Sequence, residues 1–225
     1  MNHPTARRGF TLIELMVVVS IIAITTAMTV FAFGRQKPRR QLDGMALELR
    51  AQLMGARQTA LATGTPVAAV VFPDFVTGTG TGRIVFYRDG DFSLFSTAAA
   101  VNLDNLDAAA PASGARSEIL DTLDLDNSVV VGPATGQGAS AIMPAPFSGI
   151  AINVACAFCT GADRRGAVVF QPNGTVTFQD RAGPPLPLPQ GASLSLTRAE
   201  SEEVRTIAIA ASTGLMQTLK WNPTP

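Results

Sequence analysis

Residues 7–19 read RRGFTLIELMVVV: two arginines and a glycine run into an apolar stretch that holds one carboxylate, Glu14. From Phe10 to Phe33 the chain continues for 24 residues with Glu14 as its only charge. A helix rises about 1.5 Å per residue, so this run reaches across the roughly 30 Å hydrocarbon core of a bilayer. A secretory signal peptide is the alternative, but its apolar region is shorter and ends at the small residues of its cleavage site. Here the small residue, Gly9, precedes the run. A cut beside it leaves the apolar segment on the chain. An acid is costly in hydrocarbon, so Glu14 needs an explanation. Either it lies near the membrane boundary and reaches headgroup water, or it meets a cation inside the membrane. The span holds no cation. Cleavage after Gly9 would create one, the α-amino group of Phe10.

Charge is unevenly spread. Residues 1–41 carry six basic side chains and one acid, while residues 42–225 carry 11 basic and 16 acidic ones. The larger part is therefore mildly acidic, which weighs against a dedicated nucleic-acid surface built from clustered Lys and Arg. Composition is 47% hydrophobic and 15% charged, in keeping with membrane association. The single histidine, His3, precedes the apolar run. None remains elsewhere for Ser-His or Cys-His catalysis or for metal ligation, and no cofactor is implied. Arg7 and Arg8 lie before the span, and Arg35, Lys37, Arg39 and Arg40 lie after it. By a bare count, the positive-inside rule would put the C-terminal side in the cytoplasm.

Arg-Arg-Gly-Phe-Thr-Leu-Ile-Glu-Leu resembles the class III signal of type IV prepilins and type II secretion pseudopilins. The resemblance implies that a prepilin peptidase cuts between Gly9 and Phe10 on the cytoplasmic side. It implies that the same enzyme methylates the new terminus, Phe10. It gives the acid matching Glu14 the task of neutralising the N-terminal amine of an adjacent subunit during assembly. It also sets an orientation opposite to the charge count, with leader 1–9 in the cytoplasm and the rest in the periplasm.

Past the span, Pro38 in RQKPRR should kink or loosen a helix. Leu42, Met45, Ala46, Leu49, Leu53, Ala56 and Ala60 then recur at helical spacing, predicting an amphipathic helix that packs on the protein's own sheet. Gly64, ahead of Pro66, should end it. Beyond Pro66 come short β runs: 66–72, 83–87, 127–131, 149–154, 167–171, 175–179, 192–196, 205–210 and 215–221. FQPNGTVTF is the clearest hairpin, with Asn173-Gly174 expected to supply the positive φ angles of a tight turn. Residues 98–127, holding Asp104, Asp107, Glu118, Asp121, Asp124 and Asp126, read as an acidic inserted loop. DTLDLDN lacks the glycine and distal glutamate of an EF-hand.

Cys156-Ala-Phe-Cys159 lacks the further soft ligands of a zinc site and the βαβ context of a redox site. Outside the cytoplasm it reads as a local structural disulfide. Thr77-Gly-Thr-Gly-Thr-Gly-Arg83 lacks the Lys-Ser/Thr of a P-loop and reads as a hairpin connection. Asn173-Gly174-Thr175 is a glycosylation sequon by letter and a turn by context.

ARQTALATGTPVAAVVF, AVVFQPNGTV and RTIAIAASTGLMQ resemble the GspH/FimT branch of the pilin superfamily. That resemblance implies an α+β, pilin-like fold: a long N-terminal helix packed on an antiparallel β-sheet domain. The expected parts are a leader 1–9, a transmembrane or filament-core helix 10–33, its amphipathic second half 34–64, and a periplasmic β domain 65–225. The implied role is a non-catalytic minor pilin or pseudopilin that helps start assembly near a filament tip. Expected partners are other pilins or pseudopilins, the prepilin peptidase, the inner-membrane assembly platform and membrane lipid. FimT-like members can bind DNA through arginines near the C-terminal strands. Residues 213–217 here read TGLMQ and lack them, and Lys220 with Trp221 is a weak substitute, so no nucleic acid is expected. A DNA-uptake subunit and a membrane-anchored envelope enzyme remain the alternatives.

Overall fold

The computed structural model describes residues 11–34, 37–78, 80–92, 94–95, 102–103, 106, 117–126, 128–132, 145–152, 154–160, 165–198 and 203–221. Two compact units result, residues 1–40 and 41–225. Among the described residues, helices α1 (Leu12–Gly34) and α2 (Lys37–Thr63) precede nine strands. Pro38 is the second residue of α2. In the first turn of a helix its missing N–H breaks no hydrogen bond.

From residue 41 onward, α2 buries the stripe that its spacing predicts. Leu42, Ala46, Leu49, Leu53, Ala56 and Ala60 are all buried, with Met45 packed beside them. The helix stops where expected. Gly64 takes a left-handed φ of 67° and donates its N–H to Ala60 O at 3.1 Å. That closes one of the last turn's orphan carbonyls, a conformation glycine adopts without penalty.

The strands form two antiparallel sheets. The first has the order β3-β2-β1-β5-β6, from β1 (Val67–Val76), β2 (Thr81–Asp89), β3 (Ser117–Asp124), β5 (Gly166–Phe170) and β6 (Val176–Asp180). The second has the order β4-β7-β8-β9, from β4 (Val129–Val131), β7 (Gly191–Arg198), β8 (Val204–Ala210) and β9 (Met216–Trp221). One core joins the α2 stripe to the inner faces of both sheets, through residues such as Val71, Phe86, Phe178, Leu194 and Ile207. The outer face of the first sheet is covered by Phe95, Leu103 and Leu106. The outer face of the second is covered by Phe147, Ile150 and Ile152. This double cover explains why β1 and β5 read as nearly unbroken apolar runs, since a strand buried on both faces has no polar phase.

Three expectations need correction. The described residues of 149–154 form no strand. Ile150 and Ile152 alternate as strand residues do, but their side chains cover β8 and the backbone bonds to hydroxyls. Ser193 donates to Ala151 O at 2.5 Å, and Thr206 to Ile152 O at 3.4 Å. Next, the segment read as an acidic loop ends in a strand, β3, and the rest of 98–116 lies almost wholly outside the described residues. Two of the acids of β3 have partners: Arg83 forks onto Asp124 and Arg88 binds Glu118, each pair directly opposite across the strands. Last, the β5–β6 turn has a positive φ at Gly174 alone, at 86°. Gly174 N–H donates to Gln171 O at 2.9 Å, and Gln171 N–H to Thr175 O at 2.9 Å. This is a three-residue loop with Pro172 leading and glycine in the left-handed position.

A polar clasp joins α2 to the second sheet. Arg205, its side chain only 5% exposed, donates from Nε to Asp43 at 2.6 Å, and Lys220 Nζ reaches the same oxygen at 3.2 Å. Arg205 above all, and then Lys220, hold the Asp43 carboxyl below its ordinary range, against a partial desolvation that works the other way. A depressed folded value means the stabilisation is fully present above the unfolded carboxylate range, near pH 4. It is lost as pH falls through the lower folded value. Replacing Asp43 with Asn should lower stability by about 1–2 kcal/mol at pH 7, after allowance for solvent screening. It should also flatten the acid limb of the stability curve. Denaturant titrations from pH 7 to pH 2 measure both effects.

Candidate functional site

The site is the capped start of α1. Thr11 is the last residue before the helix, and its hydroxyl accepts the Glu14 N–H at 3.3 Å. The Glu14 carboxylate turns back and accepts the Thr11 N–H at 3.1 Å and the Thr11 hydroxyl at 3.0 Å. This is a reciprocal capping box, the T-x-x-E pattern satisfying two orphan donors of a helix start. The pattern is legible in FTLIE, yet the sequence reading treats Glu14 only as a charge. The acid also lies at the helix N-terminus, where the macrodipole favours it. Gly9 and Phe10, the residues of the expected cleavage and methylation, lie outside the described residues. The carboxylate nevertheless bonds the amide one position after Phe10, so it faces the end of the chain where a new amine would form.

Behind the cap, α1 is apolar on every side. Its large side chains from Leu12 to Met28 are 49–78% exposed within this chain, with no polar face among them. The hydroxyls break no such surface. Ser20 donates to Met16 O at 2.8 Å, Thr25 to Ile21 O at 2.9 Å and Thr26 to Ile22 O at 2.7 Å. A helix apolar all round belongs inside something larger than its own domain. Among the described residues, no helix is long and apolar enough to cross a membrane. Side chains of α1 are described only as far as residue 28, while its backbone runs for 23 residues, about 35 Å of helix.

The prokaryotic N-terminal methylation motif matches residues 4–30. This end of the chain is type IV prepilin-like. The motif supports a type IV pilin-type protein, with membrane anchoring, processing by a prepilin peptidase and assembly with other pilins. The α+β architecture, a helix packed on antiparallel sheets, is consistent with a pilin-like fold. No curated protein and no solved structure matches the chain.

Cys156 and Cys159 are joined in a disulfide, with Cα atoms 5.3 Å apart. The loop it closes bridges to Leu194 of β7, and Phe158 within it is fully buried, 5.6 Å from the Phe178 ring. The bond thus pins a core aromatic and lies in the other compact unit from Glu14. Of the cations near the C-terminal strands, Arg205 and Lys220 are both bound to Asp43, and Arg57 donates to Thr213 O at 2.8 Å.

Replacing Thr11 with Val should remove the hydroxyl bonds of the cap while keeping the side chain's shape. Amide exchange at Glu14, measured by NMR on the full chain in micelles, should then accelerate relative to residues in the middle of α1.

Proposed function

We propose that this chain is a minor pilin or pseudopilin of GspH/FimT type, a non-catalytic subunit that helps start a type IV pilus or type II secretion pseudopilus near its tip. The observation that carries the reading is the methylation motif running into a helix that is apolar on all sides and has one acid at its start. The apolar helix first anchors the chain in the inner membrane, with the β domain in the periplasm. It then exchanges lipid for neighbouring helices in a filament core. Cleavage after Gly9 leaves a methylated amine on Phe10, and Glu14 supplies the opposite charge, on its own chain or on a neighbour.

The outward face of α2 supports the same reading. Leu47, Met54 and Leu61 are exposed at 62%, 44% and 46%, and they recur every seven residues. That spacing suits packing against another helix. The engagement of Arg205 and Lys220 by Asp43 weighs against the DNA-uptake alternative, which needs free cations for phosphate.

Two substitutions test the reading. Gly9→Leu should leave full-length precursor, whereas the native chain should begin at Phe10 with one added methyl group by mass spectrometry. A native chain beginning at Met1 would overturn the proposal. Glu14→Gln separates the two roles of the acid, because glutamine keeps the capping box and loses the charge. The expected result is normal processing and membrane insertion with loss of incorporation into filaments. Normal incorporation of Glu14→Gln would reduce Glu14 to a helix cap.

A further inference from the structure

The bulge in β3 opens a cleft against α2. Between Phe86 and Tyr87 the β2–β3 register slips by one, so Leu120 is an extra residue and Asp121 comes opposite Phe86. Phe86 faces the core beneath α2, and Asp121 therefore points to the same side. A cleft of about 180 Å³ lies there, lined by Gln52, Ala56 and Thr59 of α2 and by Phe86, Leu120 and Asp121 of the sheet. That is below the roughly 300–1,000 Å³ of small-molecule pockets and matches a single side chain.

Among the described residues, two acceptors of its lining are short of donors. Two of the acids on β3, Glu118 and Asp124, bind arginines of β2, but Asp121 lies opposite a phenylalanine. Among the described residues its carboxylate takes only the N–H of Thr122, at 2.8 Å. Gln52 lines the cleft, and its Oε1 is buried with no hydrogen-bond partner among the described residues. A buried acceptor of this kind carries a desolvation cost until a donor arrives. The floor is apolar. A carboxylate and an amide oxygen above a hydrocarbon floor complement a cation on an aliphatic stem.

We infer that this cleft receives a lysine or arginine side chain from another subunit of the assembly, an inference that rests on the pilin reading above. The occupant's methylenes lie on Ala56, Phe86 and Leu120, and its charged head meets Asp121 and Gln52. The site is independent of the apolar helix and adds a specific contact to it. Gly55 lines the mouth, and a Cβ built on it meets nothing within 4 Å. A longer side chain there can fill the opening without disturbing the fold.

The test uses the full chain in cells, with a photo-crosslinking benzoylphenylalanine at exposed Ala62, one turn beyond Thr59. Co-purification of the unmodified chain with other subunits is scored first, and its absence overturns both the assembly reading and the cleft. With co-purification present, the cross-linked partner peptide should contain a lysine or arginine. Its yield should fall at least tenfold in Asp121→Lys and in Gly55→Met, and Asp121→Glu should keep at least half of it. A partner peptide without a basic residue, or a yield unchanged in both Asp121→Lys and Gly55→Met, would overturn the cleft alone.

Discussion

Burial of the α2 stripe organises the second unit. From Leu42 to Ala60 one face of the helix enters the core, and both sheets close on it. That face mixes leucine with alanine, and the alanines let strands approach the helix closely. Two sheets meeting one helix also explain the outer covers. Each sheet turns one face to α2 and leaves another that loops must shield, which they do with Phe95 and Leu103 on one side and Phe147 and Ile152 on the other. The arrangement is fixed at one end by polar contacts. Asp43 draws β8 and β9 to the helix through Arg205 and Lys220.

What could be read from the chain alone depended on the range of the interactions involved. The helical stripe, its stop at Gly64 and the β5–β6 hairpin are local features, and the spacing of a few residues reveals each. Strand β3 was hidden because its acids resemble solvated loop. The arginines that neutralise them, Arg83 and Arg88, lie 41 and 30 residues away. The stretch 149–154 misled in the opposite sense, since Ile150 and Ile152 have strand-like alternation but their backbone finds side-chain partners. The division into two sheets depends on β1 pairing with β5 across about a hundred residues, which no local pattern encodes.

The functional end of the chain was legible in part. The run of apolar residues, the glycine before it and the lone acid carry the resemblance to prepilins, and that resemblance implies processing and assembly. The capping box was written in the same letters and went unread, because an acid in an oily segment draws attention to its charge before its hydrogen bonds. Both properties belong to one carboxylate. The cap holds its oxygens beside the backbone at the helix start, which in the proposed assembly orients the charge for an incoming amine. The cleft at Asp121 could not be read from sequence at all, since it exists only because a bulge sets an acid opposite an aromatic residue.

The hydroxyls of α1 have a further consequence. Ser20, Thr25 and Thr26 each return their proton to the helix's own carbonyls. These three hydroxyls keep their bonds whether lipid or protein surrounds the helix. In the proposed assembly, these hydroxyls then set no preference between bilayer and filament. Direction and commitment must come from the ends, where the charges are.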